Sequence, residues 1–241
     1  MLQKQVFNMQ KYLFHECKYT HFFLNSSVFR DFFSVNFPRV AQFSFFAYLC
    51  ARIKHIKRNM EYIKTKIEDV FILRPRVFGD ERGYFMETFR QEDFCAHVCS
   101  TQFVQDNESK SSRGVLRGLH YQKGAFSQAK LVRVIRGRVL DVAVDLRRSS
   151  PTFMQHVAVE LSDENRLQLF IPRGFAHGFL VLSQEAVFCY KVDNVYAPQA
   201  ECSIRYDDPS IGVEWPMARE ELLLSPKDLE GVDVAHAELF D

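Results

Sequence analysis

His120 sits in Gly114-Val115-Leu116-Arg117-Gly118-Leu119-His120-Tyr121-Gln122. An imidazole titrates near neutrality, so this residue type can take and return a proton or ligate a metal. Two nearby glycines leave room for a ligand to approach the backbone. If the segment is a strand, alternation puts Leu116, Gly118, His120 and Gln122 on one face and Arg117 on the other. A histidine satisfied inside an apolar core explains this stretch too, and taken alone that reading is favoured. A second histidine, His177, lies in Ile171-Pro172-Arg173-Gly174-Phe175-Ala176-His177-Gly178-Phe179. The cysteines Cys17, Cys50, Cys95, Cys99, Cys189 and Cys202 match neither a zinc spacing nor a disulfide framework, and read as reduced thiols of a cytoplasmic protein.

The elements that must position these residues are short strands punctuated by Gly, Pro, Asp and Asn. Val70 to Leu73, Tyr84 to Phe89, Leu131 to Ile135, Arg138 to Val144, Gln155 to Leu161, Leu167 to Ile171, Gly178 to Leu182, Ala186 to Val192 and Cys202 to Tyr206 have strand character. Arg136-Gly137 is expected to turn a hairpin, and Arg90 to Val98 to form a short helix. Strands at this spacing predict an all-β sandwich or barrel.

Composition divides the chain near Met60. Residues 1–59 hold 11 of the 24 Phe, no Gly, nine Lys/Arg and two acids, a net charge of +7, which leaves −6 on residues 60–241. The acidic balance of the second part excludes a nucleic-acid footprint. In the first part, the best apolar stretch, Val40 to Ala51, is about 12 residues against the roughly 20 of a membrane span. A transit peptide and a membrane anchor compete there with a third reading, translation from Met60, which the composition break favours. Residues 1–59 are therefore taken as a Phe-rich basic extension, mis-started or disordered, and 60–241 as one domain of ordinary size.

Pro172-x-Gly174-x-x-His177 resembles the second conserved box of the cupin superfamily, a jelly roll or double-stranded β-helix. Metal-binding cupins carry His-x-His followed by Glu in the first box. Here that place reads His120-Tyr121-Gln122, a poor transition-metal set, so the pocket is expected to work without metal or cofactor. Phe78 to Gly83, Phe103 to Asn107, Val115 to Gln122 and Ile171 to Phe179 together resemble the dTDP-4-dehydrorhamnose 3,5-epimerases, from about Met60 to about Leu229. The resemblance implies an all-β, cupin-type jelly roll with a few short helices and a homodimer with exchanged N-terminal strands. It implies as substrate a dTDP-4-dehydro-6-deoxy sugar, whose ketone acidifies the protons on either side.

By the same resemblance His120 is the base, Asp228 the acid that orients it, Lys130 the cation at the enolate oxygen and Tyr190 the opposing proton donor. Arg82, Phe85, Glu87, Gln105, Asp106, Asn107, Arg117, Lys130, His177, Tyr196, Glu201 and Lys227 fall on ligand-contact positions, Tyr196 as the ring that stacks on thymine. Arg117 and His120 then both face the ligand, against strict alternation, which requires a bulge at Gly118 or a neighbouring subunit. A single-site epimerase of another deoxysugar pathway, a metal-dependent cupin oxygenase and a non-enzymatic sugar-binding cupin are the rival readings. If translation starts at Met60, mass spectrometry of the native protein recovers no peptide from residues 1–59.

Overall fold

The computed structural model describes residues 59–241. All but the last residue of the N-terminal extension thus lies outside the described residues. Two antiparallel sheets face each other. The first has six strands, ordered β1 (Met60–Lys64), β2 (Phe71–Pro75), β10 (Gln168–Ile171), β7 (Lys130–Arg136), β12 (Glu185–Val192) and β5 (Gln105–Ser112). The second has five, ordered β13 (Glu201–Ser203), β6 (Leu116–Gln122), β11 (Phe175–Val181), β8 (Arg138–Asp145) and β9 (His156–Ser162). A separate ribbon pairs β3 (Val77–Asp80) with β4 (Gly83–Met86). Two short α-helices complete the jelly roll, α1 (Gln91–His97) and α2 (Pro226–Leu229).

Alternation along each strand decides what lies between the sheets. Val132 and Val134 of β7, Leu169 and Ile171 of β10 and Phe188 of β12 meet Val139 and Ala143 of β8, Val157 and Leu161 of β9 and Phe175, Phe179 and Val181 of β11. The opposite faces of central strands are covered too. Phe170 and Leu131 pack with Phe94 of α1, while Val142, Val144 and Ala176 pack under the C-terminal segment. This explains why β10 and β11 are buried at every position. Each fully buried large apolar side chain contributes about 1.5–3 kcal/mol.

Three findings depart from the expectations or add to them. Arg136-Gly137 does not close a hairpin: β7 and β8 lie in different sheets, and the chain turns a corner between them. Gly137 makes the corner possible, with φ +81° and Glu185 O only 2.1 Å from where a Cβ would stand. Second, β5 is a strand although its sequence, QDNESKSS, is wholly polar. It is an edge strand held by continuous backbone pairing with β12, so it needs little apolar burial. Third, Leu116 does not share a face with His120. It points away from the inter-sheet core and packs with Leu180 and Tyr206.

The reason is a bulge. Arg117 pairs with Phe179 and His120 with His177, so Gly118 and Leu119 of β6 stand opposite the single residue Gly178 of β11. The extra residue reverses the alternation and turns Arg117 and His120 to the same side. Gly118 permits it: a Cβ there would lie 2.5 Å from Gly178 Cα. Gly137→Ala should lower stability by about 1–3 kcal/mol, since it combines positive-φ strain with a backbone clash; urea denaturation checks this.

Candidate active site

Between the sheets lies a cavity of about 520 Å³ whose lining includes Arg117, His120, Lys130, His177, Tyr190, Lys227 and Asp228. Four elements of the two sheets supply the first five: β6 carries Arg117 and His120, β11 His177, β7 Lys130 and β12 Tyr190. Asp228 and Lys227 come from α2, 100 residues and more along the chain from His120.

Asp228 is 3% exposed. Its Oδ1 accepts from the Gly118 amide at 3.0 Å and lies 2.9 Å from His120 Nε2, an ion-pair contact outside hydrogen-bonding alignment. Its Oδ2 accepts from the amide and hydroxyl of Ser225, and the Ser225 side chain caps α2 in return. Burial pushes the carboxyl pKa up, but His120, the Ser225 hydroxyl and the Gly118 and Ser225 amides outweigh it and hold the group well below the usual carboxylate range. Asp228 is therefore held in its charged form.

Lys130 is partly enclosed. Burial lowers its amine to about 8, against the support of Asp141 and Glu201 and with the opposition of Lys227. Burial also raises the Tyr190 phenol, Arg117 opposing and Glu201 adding to the rise. Tyr196 and Glu201 join the cavity through Lys227: Glu201 pairs with Lys227 and accepts from the Tyr196 hydroxyl at 2.8 Å. Gln122 does not face a ligand. Its amide donates to the carbonyls of Phe126 and Val195 and accepts from the Ala197 amide, clamping the loop that carries Tyr196. Among the described residues, no group of three or more His, Cys, Asp or Glu is placed to hold a metal ion, and no helix is long and apolar enough to cross a membrane.

The remaining predicted contacts stand apart from this cavity. Arg82 pairs with Asp80 at the tip of the β3–β4 ribbon, where Phe85 is 68% exposed. Glu87 pairs with Arg90. Gln105 donates to Asn107 at 2.8 Å on edge strand β5, and Asp106 pairs with Lys191. Sequence reasoning missed Asp141, a fully buried carboxylate whose signal was a lone acid inside the apolar run Val139 to Val144.

A profile of the dTDP-4-dehydrorhamnose 3,5-epimerase family matches residues 64–236. The dTDP-4-dehydrorhamnose 3,5-epimerase of Shigella flexneri is 55% identical over 182 residues, 75% of this chain and 99% of the relative. A crystal structure of the same-named enzyme from Elizabethkingia anophelis NUHP1 aligns with TM-score 0.71 and 49% identity, covering 73% of this chain and 97% of that one. The dTDP-6-deoxy-D-glucose-3,5-epimerase of Legionella pneumophila Philadelphia 1, solved with dTDP-4-keto-L-rhamnose, aligns with TM-score 0.72 and 47% identity over 74% of this chain and 95% of that one. Fold and likeness together define the class, an isomerase built on a cupin-type jelly roll and acting on a nucleotide sugar. Within that class, the chain belongs to the dTDP-4-dehydrorhamnose 3,5-epimerase family, whose reaction is a step of dTDP-rhamnose biosynthesis. An activity that needs the charged Lys130 amine falls as pH rises through about 8, and Lys130→Arg, which stays charged, loses that alkaline limb; a kcat/KM profile from pH 6 to 10 checks both.

Proposed function

We propose that the chain converts dTDP-4-dehydro-6-deoxy-D-glucose to dTDP-4-dehydro-L-rhamnose, with these residues moving the protons. The observation that carries this reading is the division of titratable groups between opposite walls. His120 stands on the five-stranded sheet and Tyr190 on the six-stranded one, with the cavity between them. Inversion at carbon needs such an arrangement, because the proton must leave from one side and return from the other.

With His120 Nε2 turned to Asp228, Nδ1 is the nitrogen that takes the proton. The imidazolium so formed is stabilised by a carboxylate that stays charged. The electrons left behind go to the C4 oxygen as an enolate, and the Lys130 ammonium neutralises it. The Tyr190 phenol, its pKa raised by burial, keeps its proton until the carbanion-like carbon requires it. Water then takes the proton from the imidazolium and returns one to the phenolate, and the sequence repeats at the second carbon adjoining the same ketone. These steps require no cofactor. Arg117 and Lys227 supply cations for the diphosphate and Tyr196 a face for the thymine, while Glu201 holds Lys227 and Tyr196 together.

The molecule works in this reading as a cytoplasmic homodimer. Phe78, Tyr84 and Phe85 expose apolar surface on the β3–β4 ribbon, which suits burial against a second copy. Arg82, Phe85 and Glu87, together with Gln105, Asp106 and Asn107, then meet the ligand of the dimer.

Incubation with dTDP-4-dehydro-6-deoxy-D-glucose in D₂O should place deuterium at both C3 and C5 of the product. Label at one carbon alone would favour the single-site reading. His120→Ala should cut exchange at both carbons by about 10²–10⁴-fold. Tyr190→Phe should impair product formation more than loss of the substrate proton.

A further inference from the structure

The cavity wall holds a second imidazole–carboxylate pair that the proton transfers above do not use. Asp141 lies on β8 among apolar neighbours and has no exposed surface. Its Oδ2 and Oδ1 lie 3.0 and 3.2 Å from His177 Nε2. A carboxylate in such a position is expensive unless it is paired and hydrogen-bonded, so its partners indicate what it is for. The side chain paired with it is His177 of β11.

An ionised carboxylate only accepts, which puts the ring hydrogen of His177 on Nε2. Burial drives the His177 pKa below the usual histidine range; Asp141 opposes the shift, while Lys130 and His120 add to it, and the ring is neutral. A neutral imidazole with its hydrogen on Nε2 has its lone pair on Nδ1. The ring plane is held by stacking on Phe188, 6.1 Å between centroids. In a cavity wall, such an Nδ1 can accept a hydrogen bond from a hydroxyl.

We propose that Asp141 is a positioning residue: it fixes His177 as the tautomer that accepts from a substrate hydroxyl at Nδ1. The inference rests on the reading of His177, which lines the cavity, as a ligand contact.

The test is Asp141→Asn in the full chain, read from the ¹⁵N shifts of the His177 ring at pH 7. A side-chain amide can accept from the ring or donate to it, so the variant should show both tautomers. A variant ring still protonated at Nε2 alone overturns the role of Asp141. The tautomer is read separately, on unsubstituted protein, from the ¹⁵N shifts of the His177 ring at pH 7, so the test survives a variant that fails to fold. A protonated Nε2 beside a bare Nδ1 is expected. Protonation at Nδ1 alone, or at both nitrogens, overturns the proposal. Absence of deuterium exchange by the wild type would instead sink the proposed reaction and leave the tautomer measurement standing.

Discussion

One buried carboxylate joins the parts of this site. Asp228 receives the Gly118 amide at the bulge of β6, the amide and hydroxyl of Ser225 at the start of α2, and the approach of His120. Each hydrogen bond to such a charged acceptor is worth about 1.5–3 kcal/mol when its alternative is an unpaired buried group. The bulge it meets turns Arg117 and His120 to the same face. The helix it caps carries Lys227, which holds Glu201, which in turn receives the Tyr196 hydroxyl. A chain of contacts thus runs from the histidine to the exposed ring of Tyr196. Gln122 anchors the loop at the far end of that chain, and every hydrogen bond it makes there is to backbone.

The two sheets divide the titratable groups of the cavity. The five-stranded sheet contributes His120, His177 and Asp141, and the six-stranded sheet contributes Lys130 and Tyr190. Groups on strands keep their positions better than groups on loops, and the packed layer beneath them keeps water from screening their charges. Burial alone displaces Lys130 and Tyr190 in opposite senses, as it must for a cation and a potential anion. The same enclosure that makes the amine easy to deprotonate makes the phenol slow to ionise.

Much of this was legible in the residues. The all-β class followed from short strands between turn residues, and α1 was found to within a residue or two. The conflict between Arg117 and His120 on an alternating strand left a bulge at Gly118 or a neighbouring subunit as explanations, and the bulge is there. What escaped has physical reasons. β5 has no apolar alternation because it is an edge strand, held by its backbone. The glycine at the corner between β7 and β8 has the same local signature as a hairpin glycine, and only the pairing partners distinguish them. Asp141 was visible as an acid in an apolar run, but nothing local could show that His177, 36 positions on, would receive it. Asp228 stands alone in its segment and acquires meaning only across 110 positions of chain, at Gly118.

That separation also governs how the site comes into being. The corner at Gly137 sends consecutive strands into opposite sheets, so β6 waits for β11, β5 for β12 and β2 for β10 before their pairings exist. Loop-closure entropy is spent on each of these long-range pairings before any stabilisation returns, the pattern of slowly folding β proteins. The contact of Asp228 with Gly118 closes one of the longest loops in the domain. On the ribosome, the partner for the bulge is therefore among the last segments to emerge. A chain interrupted before α2 contains every strand of the two sheets and still lacks the acid that its histidine faces.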